Sequence, residues 1–330
     1  MRRGAKWVLL GAGFTLLIWT FRSVGLETLS ANLRLMGWAW TWLFPVYGLV
    51  YALNTLGWEY AFPRRIRVPF GDLFLIRIIG ESLNAAIPAA ASLGGEPVKV
   101  LLLSSRHKVS QSETVAASLI VHTTLWVSLN LFLAGALLTT QYSMPLTPFL
   151  RGAVTGFLLV LGIGAVTLFW GLHAGVFMAA YRAGTRFGWW GAEGEKKLVR
   201  YTALDEDIRA FYRQNRGRFF LSTFFNLGAW LAANLEILII ARVLGLPFGF
   251  FEAWLIQALI QVVRMTTFFV PGSVGTQEGG IVLLFAQFGL PIQAGLALAV
   301  ILRVRELAWM GTGMLLWAGL RDPAPKPQSS

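Results

Sequence analysis

Ile87-Pro88-Ala89-Ala90-Ala91-Ser92-Leu93-Gly94-Gly95-Glu96-Pro97-Val98-Lys99 interrupts one long apolar stretch of this chain, and Val270-Pro271-Gly272-Ser273-Val274-Gly275-Thr276-Gln277-Glu278 interrupts another. Both read proline, small residues, glycine, glutamate, and then a short apolar helix. The stretches that hold them, Asp72 to Ser104 and Phe250 to Leu290, are too long for loops. Proline and glycine at their centres forbid one continuous helix in either.

The solvent around them is lipid. Of 330 residues 56% are hydrophobic and 13% charged, about half the charge of an ordinary soluble domain. The charge-free runs Gly37 to Trp58, Thr114 to Leu150 and Gly152 to Tyr181 are each long enough to cross a hydrocarbon core of roughly 30 Å. In lipid a broken backbone survives only where protein or a water-filled cavity covers it. Paired half-helices that dip in and return to the same side satisfy that condition. The formal net charge of +12 does not point to nucleic acid, because the basic residues form short patches between apolar spans. Their expected partners are the anionic headgroups of membrane lipids. With no cysteine there is no disulfide, thiolate metal site or cysteine nucleophile.

The expected fold is an all-α polytopic membrane protein with about six full spans and two re-entrant broken-helix pairs. The first span is Trp7 to Phe21, retained because Arg22 follows where a signal peptide would need a small-residue cleavage site. The second runs from about Gly37 to Tyr60, with Trp38, Trp40 and Trp42 as an interfacial anchor and Pro45 as a kink. The others lie near Glu113 to Thr140, Phe149 to Gly175, Phe219 to Ala241 and Gln293 to Leu320. Gly152 and Gly156 have a helix-packing spacing.

With both termini cytoplasmic and both broken stretches re-entrant, 19 of the 28 basic residues face the cytoplasm and four face outside. That division follows the positive-inside rule. The first broken stretch then enters from the cytoplasm and the second from outside, an inverted repeat of the kind that builds a midplane site. The whole chain reads as one transmembrane domain: a first repeat over 36–140, a basic cytoplasmic loop over 181–218, an inverted second repeat over 219–320 and a disordered tail over 321–330. The basic loop, with nine basic and five acidic residues, is expected to form a short amphipathic interfacial helix.

Ionisable groups cost several kcal/mol in hydrocarbon unless paired or hydrated. The candidates are Arg77, Glu81, Glu96, Lys99, Arg264, Glu278, Arg303, Arg305 and Glu306. Arg77 and Glu81 at i,i+4, and Arg303 and Glu306 at i,i+3, can each pair along one helix face, as plain helix-holding ion pairs or as part of a site. Glu96 and Glu278 both read as helix-start caps. A buried helix start also favours an anionic headgroup, and a glutamate beside it would set selectivity or carry a proton. Lys99 can pair with Glu96 or with a lipid phosphate. Arg305, about 200° round the helix from Arg303, has Trp309 one turn on for a cation–π contact. Asn84, Gln257, Gln261 and Gln277 are placed to line the same cavity. His122 reads as a packed polar residue, and the three histidines have no metal-ligand spacing. No catalytic residue, metal or cofactor is expected, since no phosphate loop, Gly-x-Ser-x-Gly or His-Glu-x-x-His occurs.

Gly80-Glu81-Ser-Leu-Asn84 through Pro88 to Gly95-Glu96-Pro97, then Pro271-Gly272-Ser-Val-Gly275-Thr-Gln-Glu278-Gly and Arg303-Val-Arg305-Glu306, resemble the flippase-like transmembrane domain family. That family includes the membrane half of lysylphosphatidylglycerol synthases and stand-alone proteins, one branch being hopanoid-associated. The resemblance implies a bacterial inner-membrane protein that moves or presents lipids between leaflets. Glu96 and Glu278 match its paired glycine-glutamate motifs and Arg303 the arginine of its last span. Where many members carry Glu-Arg after the first motif, this chain has Val121-His122-Thr123-Thr124. The aminoacyl-transfer domain has no counterpart in these residues, so lysine transfer to lipid is not expected.

The substrate-binding set is therefore Arg77, Glu81, Asn84, Glu96, Lys99, Gln277, Glu278, Arg303 and Glu306. The expected function is a flippase or scramblase-like transporter of an anionic or polyprenoid/hopanoid-type lipid. The alternatives are an intramembrane lipid-headgroup transferase or phosphatase using Glu96 or Glu278 as acid/base, and an accessory subunit whose partner is a lipid-modifying enzyme.

Overall fold

The computed structural model describes residues 34–86, 94–107, 109–139, 146–187, 194–267, 270, 273 and 275–320. The expected first span, the prolines Pro88 and Pro271, the centre of the expected external loop (141–145) and the tail over 321–330 lie outside the described residues.

The described residues form helices and no strand. In order these are α1 (Trp40–Ala61, entered through a 3-10 turn Gly37–Ala39), α2 (Phe70–Ala86), α3 (Glu96–Arg106), α4 (Gln111–Thr139), α5 (Pro148–Ala174) and α6 (Val176–Arg186), then α7 (Gly194–Gln214), α8 (Arg216–Val243), α9 (Phe250–Thr266), α10 (Thr276–Gln287) and α11 (Ile292–Gly319). By length and composition α4, α5 and α8 could each cross a membrane. At 28 residues α11 is long enough as well, but it carries Arg303, Arg305 and Glu306 near its middle.

Each broken stretch is two helices, of 17 and 11 residues in the first and 17 and 12 in the second. At about 1.5 Å per residue none exceeds about 25 Å, short of the roughly 30 Å hydrocarbon core. The local chemistry accounts for the restarts. Pro97 occupies an early position of α3, where its missing N–H costs nothing. Gly275 caps α10 at φ +81°, in the left-handed region that strains other residues. Pro45, by contrast, sits inside α1, which is one continuous helix.

The charged segment after α5 departs from expectation. Instead of a short interfacial helix it forms α6 and the 21-residue α7. Leu204, Ile208, Phe211 and Tyr212 of α7 are buried in one core cluster with side chains of α1, α2 and α4, and α7 packs on α4 and α5. The carboxylate of Asp205, itself 1% exposed, accepts the N–H groups of Phe177 (3.4 Å) and Met178 (2.9 Å) at the start of α6. The expectation failed because the basic residues dominate the composition of the segment, while four apolar side chains spaced 204, 208, 211, 212 set its packing.

α1 lies along α8, α2 rests on α11, and α9 rests on α4, while α3 packs on α4 and α10 on α11. At the α2–α11 crossing Ser82 Oγ donates to the Ile78 carbonyl (2.9 Å), with that of Trp309 at 3.2 Å, and a Cβ on Gly313 would collide with this hydroxyl. One core cluster centres on Ile237, Ile256, Phe285 and Ile301, another on Trp58, Phe62, Leu73 and Ile120. α5 stands largely outside both, with Phe149, Val160, Ile163 and Trp170 outward, the composition expected of a lipid-facing helix. Gly152 and Gly156 lie on its exposed side, and among the described residues no atom comes within 4 Å of a Cβ placed on either.

Candidate functional site

Two ionic clusters form where the broken helices restart. In the first, α2 brings Arg77, Glu81 and Asn84 along one face, one turn apart. The N-terminal residues of α3 meet that face so closely that a Cβ on Gly95 would collide with the carbonyl of Gly80. A Cβ on Gly80 would strike the Lys99 stem, so the two glycines let the lysine lie across α2. Lys99 Nζ then donates to Glu81 Oε1 (2.8 Å) and Glu96 Oε1 (2.7 Å). Arg77 Nη2 is 3.7 Å from Glu81, and Nη1 donates to the Asn54 carbonyl of α1 at 3.2 Å.

The cap of α3 differs from expectation. Glu96 makes no cap bond. Asn84 Oδ1 accepts the N–H of Gly95 at 2.6 Å, and its Nδ2 donates to Glu81 Oε2 at 3.4 Å. The neighbouring ammonium draws the Glu96 carboxylate away, since a charge-assisted bond exceeds a neutral amide's, and an amide from α2 fills the cap instead. His122 of α4 also faces this cluster, its Nε2 4.0 Å from Glu96 Oε1.

In the second cluster Glu278 does act as a cap. Its Oε2 accepts the Gly275 N–H (2.8 Å) while Oε1 accepts Arg303 Nε (2.8 Å). Arg303 Nη1 donates to Glu306 Oε2 (3.1 Å) and Nη2 to the Ser273 carbonyl (3.2 Å). Arg264 of α9 donates to the other Glu306 oxygen at 2.8 Å. The Gln277 amide is buried beside Glu306 without a hydrogen bond of good geometry. Gln257 is buried on α9 and Gln261 half-buried, and among the described residues neither bonds an ionic group.

All nine residues expected to bind substrate thus fall in one cluster or the other: Arg77, Glu81, Asn84, Glu96 and Lys99 in the first, Gln277, Glu278, Arg303 and Glu306 in the second. Among the described residues each cluster holds two cations and two carboxylates. The carboxylates keep partial access, with side chains 30% exposed for Glu81, 15% for Glu96, 18% for Glu278 and 17% for Glu306. Arg77, Lys99 and Arg303 are buried.

Arg305 stands apart from both and corrects an expectation. It does not stack on Trp309. Its guanidinium lies 3.6 Å over the Tyr47 ring and forks onto Glu236 of α8 at 2.7 and 3.0 Å, the acid being 1% exposed. Trp309 packs against Phe44, Tyr47 and Tyr51 of α1 instead. A buried carboxylate one helix away outcompetes a ring on the same helix, because an unpaired buried charge costs far more than a lost cation–π contact. Glu236 was missed in the sequence, although an acid inside the apolar run Phe219 to Ala241 is the same signal that marked the others.

Cavities along α4 and α7 are lined by Arg65, Glu113 and Asp207, and by Ser112, Arg200 and Tyr201, none of which belongs to either ionic cluster. Outside the spanning helices, burial at the first of these raises the Asp207 carboxyl above its ordinary value, with neighbouring Glu113 adding to the shift against Ser112 and Arg65. Within the described residues no group of histidines and carboxylates could hold a metal ion.

The family model described as the lysylphosphatidylglycerol synthase TM region matches residues 7–313. The chain belongs to that family, and it is a membrane protein. No curated protein and no solved structure matches it.

Proposed function

We propose that this member of the lysylphosphatidylglycerol synthase TM region family moves an anionic or polyprenoid/hopanoid-type lipid between the leaflets of the bacterial inner membrane. The observation that carries the reading is the pair of four-charge clusters at the restarts of the two broken stretches. Eight ionised side chains gathered at two helix restarts are costly to bury in a membrane protein. Each cluster is closed by its own ion pairs and keeps its carboxylates partly accessible. A phosphate that enters would compete with a carboxylate for a shared cation, as at Lys99 between Glu81 and Glu96, while the tails remain in the bilayer. Arg77, Glu81, Asn84, Glu96 and Lys99 would hold the headgroup from one side, and Gln277, Glu278, Arg303 and Glu306 from the other.

The inverted repeat belongs to this reading. What supports it is the exchange of contacts: α2 rests on α11 and α9 on α4, while α1 and α8, the helices that precede the two broken stretches, lie along each other. Rocking of one unit against the other would open the clusters alternately to each leaflet, with both termini and the α6–α7 segment cytoplasmic.

The purified protein in phosphatidylcholine vesicles carrying a trace of fluorescent phosphatidylglycerol tests the proposal. Accelerated exchange of the intact lipid between leaflets supports it. A chemically altered lipid would replace it with a headgroup transferase or phosphatase, and no exchange and no chemistry would leave the accessory role.

A further inference from the structure

Resting on the lipid-moving reading above, we propose that the first cluster binds a phosphate monoanion and a proton together, with His122 as the proton site. His122 stands eleven residues into α4 and Arg303 eleven residues into α11. Each faces the glutamate at the start of the adjoining short helix, Glu96 at 4.0 Å and Glu278 at 2.8 Å. The second cluster thus carries at this position a cation that never loses its charge, and the first carries an imidazole, which is charged only when both ring nitrogens hold a hydrogen.

The ring's orientation fixes which nitrogen titrates. Nδ1 is 2.6 Å from the Ser118 carbonyl. A carbonyl only accepts, so Nδ1 bears the hydrogen and Nε2 is the basic nitrogen. In the neutral ring the Nε2 lone pair faces a carboxylate and no bond forms, whereas a proton there creates an ion pair with Glu96. The side chain is 32% exposed, which gives the proton a path.

Among the described residues the surroundings supply no charge at this point beyond those of the cluster. α3 presents Glu96 with Lys99 behind it, and α2 adds Glu81 and Arg77 through Lys99. α1 presents the Trp58 ring, 6.0 Å from Lys99 Nζ, and α8 presents Ser222 and Asn226 at Thr124. α7 faces Thr123 with Tyr212. α5 and α9 meet α4 with Gly164 at Trp126 and Trp254 at the Phe132 carbonyl. Arg65 and Asp207 meet Glu113 and Ser112, about 14 Å along the helix from His122.

With His122 neutral, Arg77 and Lys99 balance Glu81 and Glu96, and Lys99 is held between both carboxylates. A proton taken from water onto Nε2 gives Glu96 a second cation, releases Lys99 from one of its two partners and leaves the cluster one positive charge in excess. A phosphate monoanion restores neutrality at Lys99. When it leaves, Nε2 returns the proton to water.

The test follows Trp fluorescence, to which Trp58 beside Lys99 contributes, as the full-length protein in detergent is titrated with dihexanoyl phosphatidylglycerol between about pH 5 and 8. Wild-type affinity is expected to weaken by up to about tenfold per pH unit on the alkaline side. His122→Arg should bind tightly with no pH dependence, and His122→Gln weakly with none. Dihexanoyl phosphatidylcholine should not reproduce the pattern. Inorganic phosphate that reproduces it supports the same site and assigns it to free phosphate, whereas phosphate that fails beside a responding phosphatidylglycerol supports it as a headgroup site. A wild-type slope that persists in His122→Gln overturns the proposal, as does a flat or absent wild-type response, and the vesicle exchange assay then judges lipid movement by itself. Proton-linked binding without exchange sinks the transport reading and leaves the site standing.

Discussion

In α2–α3–α4 a 17-residue helix, a short glycine-capped helix and a long helix meet at four ionised side chains, and in α9–α10–α11 the same succession meets at four others. The first cluster is joined by a lysine whose ammonium is shared between two carboxylates, the second by two arginines, one of which bonds Glu278, Glu306 and the Ser273 carbonyl. A guanidinium is a rigid fork that fixes its partners, whereas an ammonium on a flexible stem can turn from one acceptor to another. The caps differ in the same sense. Glu278 spends one oxygen on its own helix start, while Asn84 caps α3 and leaves Glu96 to the cations. The same scaffold thus holds one fixed cluster and one adjustable one. α11 is anchored further by Arg305 on Glu236, where α4 at the corresponding position has only Thr124, bonded to Ser222 and Asn226 of α8.

That anchor gives the largest expected difference between the two units. Arg305→Ala leaves Glu236 buried without a partner and should cost about 3–5 kcal/mol. Thr124→Ala removes neutral bonds and should cost about 1 kcal/mol. Thermal melts of the two variants check this, and equal losses would end the view that only α11 is pinned by charge.

Next in size is the contrast between fork and point charge. Arg303→Ala should abolish movement of anionic lipid in vesicles. Arg303→Lys keeps the charge but loses the fork, and should slow movement about tenfold, the equivalent of one charge-assisted bond. Lys99→Arg should stay near wild type if charge alone matters in the first cluster. A loss at Lys99→Arg equal to that at Arg303→Lys would show the first cluster to be as rigid as the second.

Smaller effects separate capping from the site. Glu96→Gln and Glu278→Gln should both impair lipid movement with little loss of folding, because a glutamine oxygen still accepts the Gly275 N–H and Asn84 already caps α3. Asn84→Ala should lower stability by about 1 kcal/mol. If the melt of Glu96→Gln instead falls as far as that of Asn84→Ala, the cap has been assigned to the wrong side chain.

The smallest effect concerns α7, which packs on α4 and has no equivalent on α11 among the described residues. Burial raises the Asp207 carboxyl above its unfolded value, so the folded state holds its proton more tightly. This group's contribution therefore falls as pH rises through the interval between the unfolded and the raised folded value. Asp207→Asn should remove that slope from melts recorded between about pH 4 and 7, and an unchanged slope would place its origin elsewhere.

Composition and periodicity alone carried the membrane class, the two breaks and helix limits within a few residues, since apolar runs and Pro/Gly restarts are local properties of the chain. The local pairs were equally legible: Arg77 with Glu81 and Arg303 with Glu306 share a helix face by spacing alone. Which groups meet across helices was decided only in three dimensions. The Gly80–Gly95 approach lays Lys99 across α2 to Glu81, the turn of α2 toward α3 gives the cap to Asn84, and the placing of α8 gives Arg305 to Glu236. A buried charge must find an opposite charge or a polar cap, and the sequence states that need. It cannot say which of several distant residues meets it, because that choice depends on how closely two backbones approach.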